Sequence, residues 1–334
     1  MATSGTYTYT VTRDDIIREA LLNTGKLGAT GYVSPQDTAD CARKLNMLVK
    51  QWMGTQDFAP GLKAWTRARG DLFLSSMQYR YLLGPSGDNW AGGIAVAQDN
   101  GLNYATTQLT VKAVAAATTL TVGVGNTSNF TAGDYLVVQL DDGDIYTTTI
   151  STINAGAGTI TIPSPGLSAS AAANNYLWNY TTKAQRPLEI QTCVLRDINS
   201  NETPIDFMTM QTYEQLPSKT MLTYQSDPSS VYYEPSQTNG TLYLNVGGAQ
   251  DVTKSLHIVY LRPIQDFNNP LDNPDYPQEW FLPLSWGLTK QICPMYNGIW
   301  TETMEMNLQN CLAIARNTNP ETTQIYFMCD ASEP

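Results

Sequence analysis

The chain has 334 residues, of which 42% are hydrophobic and 15% are charged, and its formal net charge is −11. This length is enough for two or three domains with buried cores. The acidic balance excludes a protein that grips nucleic acid over its whole surface. No run of about 18 apolar residues is present, so the sequence predicts no transmembrane helix and no membrane partner.

The five cysteines predict neither disulfides nor a zinc site. They are scattered, odd in number and never spaced as CxxC, which is typical of reduced structural thiols in a protein made in a cytosol. Residues 1–10 lack the basic start and the apolar middle of a signal peptide. We therefore expect no cofactor, no bound metal and assembly in a cytoplasm.

Two helices are predicted within residues 1–70. Thr12 and Asp15 have the spacing of a capping box and precede an apolar pattern of helical period. The second helix has Ser34 as its N-cap and Pro35 at its first position. Its apolar positions form one stripe: Leu45, Leu48, Val49 and Trp52. This pattern predicts an antiparallel helical hairpin, and a stripe of this kind is more often core than interface.

From Asp71 the period changes to two. The segment from Leu72 to Leu83 alternates and runs into a turn at 84–87, which predicts a β-hairpin. Within residues 105–182, five strands are predicted: Gln108–Val114, Thr118–Val124, Tyr135–Leu140, Ile145–Ile153 and Thr159–Ile162. A second β region has four: Leu188–Arg196, Ser230–Glu234, Thr241–Val246 and Ser255–Leu261.

The helical period returns after residue 263. A helix is predicted to start around Asp275 and to be kinked by Pro283, and Thr301 is predicted to cap another. The remaining residues, from Asn317 to Pro334, are polar except for one apolar patch: Ile325, Tyr326, Phe327 and Met328. Such a patch favours a segment that becomes ordered on a partner.

The predicted fold class is α+β: a helical bundle of N- and C-terminal helices, an antiparallel β domain, and an inserted small β-barrel or sandwich. The predicted domains are 1–70 with 263–316 for the helices, 71–104 with 183–262 for the antiparallel β domain, 105–182 for the insertion, and 317–334 for a C-terminal extension.

Basic residues on the second helix are candidates to face phosphates or a DNA channel. Residues 1–70 hold nine basic and six acidic side chains, whereas the rest of the chain holds ten basic and twenty-four acidic ones. The candidates are Arg43, Lys44 and Lys50. The competing interpretation, which is favoured because charged helix faces are usually solvated, is an ordinary surface.

Catalytic residues are not predicted. The single histidine, His257, lies in an alternating strand without a GxSxG sequence, which favours a hydrogen-bonded residue of a sheet over a catalytic base. Asp141, Asp142 and Asp144 lack the spacing of an EF-hand loop and indicate a solvated β-turn. No glycine-rich phosphate-binding sequence is present. We expect that the protein is not an enzyme.

The order of several short motifs resembles one known family. A helical hairpin is followed by an alternating strand, and the motifs after it are Tyr81-Leu82-Leu83-Gly84-Pro85, Arg186-Pro187-Leu188-Glu189-Ile190, Asn201-Glu202-Thr203-Pro204-Ile205, Tyr213, Ser230-Val231-Tyr232-Tyr233-Glu234-Pro235, Gly240-Thr241-Leu242-Tyr243-Leu244 and Tyr276-Pro277-Gln278-Glu279-Trp280. This succession resembles the head-to-tail adaptor (connector) proteins of tailed bacteriophages, like the packaged-DNA stabilisation protein or tail tubular protein A of short-tailed phages. The likeness covers roughly residues 12–104 and 183–316, and the family's helix after Pro277 is here interrupted by Pro283 and Pro294.

The resemblance implies a structural role in the neck of a virion, at the junction of head and tail. Family members form a twelve-fold ring beneath the portal protein, extend the DNA channel, retain the packaged DNA and carry the tail nozzle or tail fibres. Double-stranded DNA then passes through the lumen without sequence-specific binding. The patch Ile325, Tyr326, Phe327 and Met328 is expected to dock on the portal.

Two alternatives stay open. The first is a virion surface or tail protein whose residues 105–182 bind a host glycan or receptor, although glycan sites need exposed aromatic rings. The aromatic candidates are Tyr135, Tyr146, Tyr176 and Trp178. The second is a cell-wall hydrolase, for which sequence alone selects no pair of carboxylates.

Overall fold

The computed structural model describes residues 4–28, 30–54, 64–95 and 102–318. The α+β class predicted from the sequence is confirmed, with helices and several antiparallel sheets on one chain. The chain divides into two compact units. A helical unit takes residues up to Thr66 and from Ile264 onward, and a β unit takes Arg67–Pro263. No helix in these described ranges has both the length and the apolar character to cross a membrane.

The described part of the helical unit has four α-helices: α1 (Arg13–Asn23), α2 (Pro35–Trp52), α4 (Phe281–Ile292) and α5 (Glu302–Asn317). Local chemistry sets their starts. The hydroxyl of Thr12 accepts from the amide of Asp15, whose carboxylate accepts from the amide of Thr12, so the predicted capping box is confirmed. The hydroxyl of Ser34 accepts from the amide of Asp37 at the start of α2, and that of Thr301 accepts from the amide of Met304 at the start of α5.

Helix α4 contacts each of the other three helices, so it lies at the centre of the helical unit. The predicted stripe of α2 is buried as core, and Trp52 meets Trp280 edge-on with ring centroids 6.1 Å apart. The predicted kink at Pro283 is wrong. Because α4 begins at Phe281, Pro283 lies in the first turn, where an amide has no partner within the helix.

In its described residues, the β unit has the short helix α3 (Met210–Glu214) and 17 strands. The strands before the insertion are β1 (Arg67–Phe73), β2 (Arg80–Leu83) and β3 (Trp90–Gly93). Those within residues 105–182 are β4 (Ala105–Gln108), β5 (Thr119–Thr121), β6 (Tyr135–Gln139), β7 (Ile145–Thr149), β8 (Thr152–Asn154), β9 (Thr159–Thr161) and β10 (Tyr176–Tyr180), and β11 (Thr182–Lys183), which pairs with β3, follows them. The last six are β12 (Glu189–Arg196), β13 (Glu202–Pro204), β14 (Asp206–Phe207), β15 (Ser230–Glu234), β16 (Gly240–Leu244) and β17 (Ser255–Leu261).

These strands form four sheets. One has six strands in the order β11-β3-β1-β17-β12-β13, two have four strands in the orders β4-β10-β6-β7 and β14-β15-β16-β2, and one has three strands in the order β5-β9-β8. All pairings are antiparallel except β14 with β15. The β4-β10-β6-β7 and β5-β9-β8 sheets share one apolar cluster, which includes Leu120, Leu136, Ile160 and Leu177.

The predicted hairpin between Leu72 and Leu83 is wrong. Strand β1 pairs with β17 and β3, whereas β2 pairs with β16 in another sheet. Leu72 and Leu74 belong to the core that contains Tyr81, and Phe73 belongs to a second core with residues of the insertion. Both faces of residues 70–73 are therefore covered, whereas Arg67 and Arg69 at the start of the strand are exposed.

Candidate functional site

The basic residues predicted to face phosphates are partly engaged within the helical unit. Arg43 lies 2.6 Å from a carboxylate oxygen of Asp40, and its side chain is 65% exposed. Lys50 donates to the carbonyl of Ile264 at 2.9 Å and pairs with Asp266. Lys44 is half-buried. Lys50 therefore connects α2 to the segment that follows the β unit, at Ile264 and Asp266. Arg43 and Lys44 stay as the candidates to face phosphates.

The second predicted site, the patch at residues 325–328, lies outside the described residues. Its docking on a portal stays a prediction. Helix α5, which precedes it, ends at Asn317 and packs into the core through Leu308, Leu312 and Ala315.

A buried polar cluster on the six-stranded sheet surrounds Asp71. His257 is its register partner across β1 and β17, and Nδ1 of His257 lies 2.7 Å from Oδ1 of Asp71. The side-chain amide of Asn103 donates to Oδ2 of Asp71 at 2.9 Å, and Nη1 of Arg196 lies 3.7 Å from Oδ1 of Asp71. Asp71 is fully buried. Because a buried carboxylate is costly without donors, this cluster ties β1, β17, β12 and the chain entering the insertion together.

This geometry confirms that His257 is a hydrogen-bonded residue of the sheet. The spacing of residues in the sequence could not predict this cluster, because Asp71 and His257 are brought together only by strand pairing. Tyr104, beside the cluster, has its pKa raised to about 12 by burial. Its ring joins the neighbouring aromatic core.

The insertion is joined to β1 by aromatic packing. Phe73 meets Tyr104 at 5.1 Å, Trp178 at 5.5 Å and Tyr180 at 6.1 Å between ring centroids. Phe73, Trp178 and Tyr180 are each at most 1% exposed. Strand β10, which carries Trp178 and Tyr180, was not among the predicted strands. Its aromatic residues give the β-propensity that should have indicated it.

A carboxylate within residues 105–182 adds hydrogen bonds to the chain that follows β1. Asp144 Oδ1 accepts from the hydroxyl of Ser75 at 2.7 Å, from the amide of Ser76 at 3.1 Å and from its neighbour Ile145 at 2.8 Å. The prediction of a merely solvated turn is therefore wrong for Asp144. In the same turn, Asp141 accepts from the hydroxyl of Ser170, which lowers the pKa of its carboxyl group.

Most of the aromatic residues considered for glycan binding are already packed in or beside the aromatic cluster around Phe73. Trp178 is buried, and Tyr176 stacks on it at 6.0 Å. Tyr135 stacks on Tyr180 at 5.1 Å and has the ammonium of Lys183 5.1 Å from its ring. Tyr146 packs against the core of the insertion. These contacts leave little free ring face of the kind that sugars stack upon.

A cluster of three tyrosines joins α3 to the β14-β15-β16-β2 sheet. Tyr232 and Tyr243 are register partners with ring centroids 5.6 Å apart, and Tyr213 stacks on Tyr232 at 5.8 Å. Arg80 lies 6.0 Å from the Tyr243 ring, and the ammonium of Lys219 lies 4.5 Å from the Tyr213 ring. Burial raises the pKa of Tyr213 to about 12. Tyr213 also lies 5.1 Å from Tyr243, so the three rings contact one another and pack α3 against the strands, with cations beside two of the rings.

Several of the motifs that carry the family resemblance meet in the β unit, whereas Tyr276-Pro277-Gln278-Glu279-Trp280 lies in the helical unit. Tyr81 of the first motif is paired with Leu242, and Leu244 is paired with Val231. The hydroxyl of Tyr233 donates to the carbonyl of Pro187 at 2.5 Å, and Arg186 donates to the carbonyl of Ser236 at 2.7 Å. Segments far apart in sequence therefore form one framework, and their residues are structural contacts.

Comparisons with known proteins add no assignment. No family model matches the chain, and no curated protein matches it significantly. Among solved structures, VP17, a capsid protein of bacteriophage P23-77, aligns over 58% of this chain and 79% of that chain at 12% identity, with a TM-score of 0.11. A TM-score this low carries no argument about fold or function.

Proposed function

We propose that this chain is a structural head-to-tail adaptor of a bacteriophage virion. In this proposal, twelve copies form a ring below the portal protein, extend the DNA channel, retain the packaged DNA and carry the tail nozzle or tail fibres. The helices of the two chain ends act as a bundle, and residues 105–182 act as a small β-barrel or sandwich fixed to the antiparallel β domain. The role is architectural and not catalytic.

One observation carries the proposal: several of the short motifs whose order resembles the adaptor family are framework contacts within the β unit. The pairing of Tyr81 with Leu242 and the bond from Tyr233 to Pro187 join motifs that are separated widely in the sequence. A shared order of motifs that fold against one another supports a shared architecture more strongly than isolated short matches. These contacts between motifs support the architectural part of the resemblance most directly.

The charge of the chain fits a channel that DNA must leave quickly. A net charge of −11 opposes tight phosphate binding. Screening limits such repulsion to about 8 Å at physiological salt, so it acts on DNA close to the wall and not across the channel. Arg43 and Lys44 on α2 then serve local contacts instead of a continuous basic surface.

A ring requires each copy to present two different complementary surfaces. In the proposal, exposed residues of the helices contact neighbouring copies and residues 325–328 dock on the portal. Co-sedimentation with portal rings tests this arrangement. Full-length protein is expected to sediment with the portal, and protein truncated after Asn317 is expected to stay in the supernatant. Equal binding of the two proteins would reject the docking role of the tail, and no binding by either would reject the adaptor role.

A further inference from the structure

The sheet β4-β10-β6-β7 has two edges without a neighbouring strand. Among the described residues, β4 pairs only with β10 and β7 pairs only with β6. Every pairing in this sheet is antiparallel. Because the strands alternate in direction and there are four of them, β4 and β7 run in opposite directions. Each edge can therefore continue the antiparallel pattern that the other edge ends.

The hydrogen bonds of β7 show which of its backbone groups face away from the sheet. The amide of Ile150, just after β7, donates to the carbonyl of Asp134 on the β6 side at 2.8 Å. Backbone groups alternate between the two edges of an antiparallel strand, so Thr148 also faces β6. The amides and carbonyls of Thr147 and Thr149 therefore lie on the outer edge, and both residues are exposed.

The outer groups of β4 follow from the same alternation. The amide of Leu109, just after β4, donates to the carbonyl of Asn175 on the β10 side at 2.9 Å. Thr106 and Gln108 therefore direct their backbone groups outward, and both are exposed. A cleft of about 360 Å³ borders this strand, and all the residues that line it are uncharged.

These two edges lack the protection that the larger neighbouring sheets have. Proteins usually blunt an exposed edge with charged residues or proline, since such an edge otherwise recruits another strand. Residues 105–110 and 145–151 contain neither. In the six-stranded sheet and the β14-β15-β16-β2 sheet, each edge strand carries a charged residue: Lys183, Glu202, Asp206 and Arg80. The two unprotected edges thus belong to one sheet.

We propose that β7 of one copy pairs with β4 of the next copy, so that the β4-β10-β6-β7 sheet runs on from copy to copy around the ring. This inference rests on the proposed adaptor function and names a contact between its neighbouring copies. A ring requires two different complementary surfaces on each copy, and the two edges are such a pair. Neighbouring copies in a twelve-fold ring differ by a small rotation, so β7 meets the next β4 in the antiparallel sense.

The outward groups determine the register of this pairing. Thr147 faces Gln108 of the next copy and Thr149 faces Thr106 of the next copy, which sets every outward residue of one edge against an outward residue of the other. No charged residue enters the new ladder from either strand.

The faces of the sheet also continue across this contact. The register sets Thr148 opposite Thr107 of the next copy. Within a copy, Thr148 is paired with Leu136 and Thr107 with Leu177, and both leucines belong to the same apolar cluster. The side of the sheet that covers this cluster in one copy therefore joins the corresponding side in the next.

The contact is weak by itself. Strands of four and five residues bury less than the roughly 1,200 Å² of a stable interface. Binding to a portal ring holds the copies side by side and raises their effective concentration. We therefore expect the edges to pair on the portal and not in dilute free protein.

Cysteine cross-linking on portal rings tests the register. Gln108→Cys with Thr147→Cys in one chain places thiols on facing residues of neighbouring copies, with Cα atoms about 5.5 Å apart and within disulfide range. Inside one copy, β10 and β6 separate these strands by about 14 Å, which prevents a bridge. Gln108→Cys with Thr149→Cys is the matched control, because its residues are diagonal and about 7–8 Å apart. Under mild oxidation we expect at least about ten-fold more covalent oligomer from the first variant.

The mass of the portal ring, measured on the same samples after reduction, reads the adaptor function separately. A gain of twelve copies together with oligomers from the first variant supports the pairing. A gain of copies with equal yields from the two variants, or with no oligomers, overturns the pairing and leaves the adaptor function standing. Covalent dimers from Gln108→Cys alone would mean that two β4 edges meet, which also overturns it. An unchanged mass contradicts the adaptor function, and the pairing falls with it.

Charges at the facing positions give a second test without oxidation. Thr147→Glu with Gln108→Glu sets like charges opposite each other between copies, whereas Thr147→Glu with Gln108→Lys sets opposite charges there. Both variants change the same two exposed positions. The concentration that half-fills portal rings should be at least about two-fold higher for the like-charged variant. Equal concentrations would show that these two edges do not meet.

Discussion

His257 and Asp71 face each other across two strands that are separated by most of the β unit in sequence, with Nδ1 and Oδ1 2.7 Å apart. Asp71 is fully buried, and Asn103 and Arg196 supply its other contacts. The pair therefore joins the middle of the six-stranded sheet to the chain that enters the insertion. Its role is to hold this framework.

Replacing Asp71 is expected to destabilise the β unit strongly. Asp71→Ala leaves buried donors of His257 and Asn103 without an acceptor, which should lower the free energy of unfolding by about 3–5 kcal/mol. Urea denaturation followed by circular dichroism measures the change. Glu189→Gln, at an exposed position of β12, should change stability by less than about 0.5 kcal/mol. Matching values for the two variants would contradict a framework role for the cluster.

Removal of the Phe73 ring is expected to loosen the insertion. Phe73→Ala deletes contacts with Tyr104, Trp178 and Tyr180 and should cost about 3–5 kcal/mol. Ser75→Ala removes the hydroxyl that donates to Asp144 and accepts from the amide of Met77, and should cost about 1 kcal/mol. Denaturation curves give both values, and limited proteolysis should cut Phe73→Ala faster within residues 105–182. Unchanged cleavage there would show that the ring does not secure the insertion.

Helix capping gives a prediction for the helical unit. Thr12→Ala and Ser34→Ala each remove a hydroxyl that accepts a first-turn amide, so each should lower the free energy of unfolding by about 1 kcal/mol. Thr303→Ala, at an exposed position inside α5, is the control and should have almost no effect. Thermal unfolding of the three variants under one condition tests the difference.

Glu305 predicts an acid dependence. The ammonium of Lys290, the amide of Gln309 and the indole of Trp300 lower the pKa of its carboxyl group from 4.5 to about 2. A depressed pKa means that the unfolded state takes up the proton first, so this stabilisation is present above pH 4.5 and is lost as the pH falls towards 2. Glu305→Gln should flatten this part of the stability curve. A melting temperature that falls equally steeply in both proteins would refute the assignment to Glu305.

Structural features that depend on neighbouring residues could be predicted from the sequence, whereas features that depend on residues far apart in the chain could not. Helix starts were predictable because Thr12, Ser34 and Thr301 act on amides within the same turn. Strand partners were not, since β1 pairs with β17 nearly two hundred residues later and no local pattern identifies a partner at that distance. For the same reason, His257 could be assigned to a strand but its contact with Asp71 could not be foreseen.

The mass of the purified protein with and without portal rings tests the central claim most directly. Native mass spectrometry should show that a portal ring gains twelve copies of the 36.7 kDa chain, one for each position of the proposed ring. The Phe73→Ala variant should still bind if the helices and the tail provide the contact. A portal ring whose mass does not change after incubation with folded protein would contradict the adaptor account.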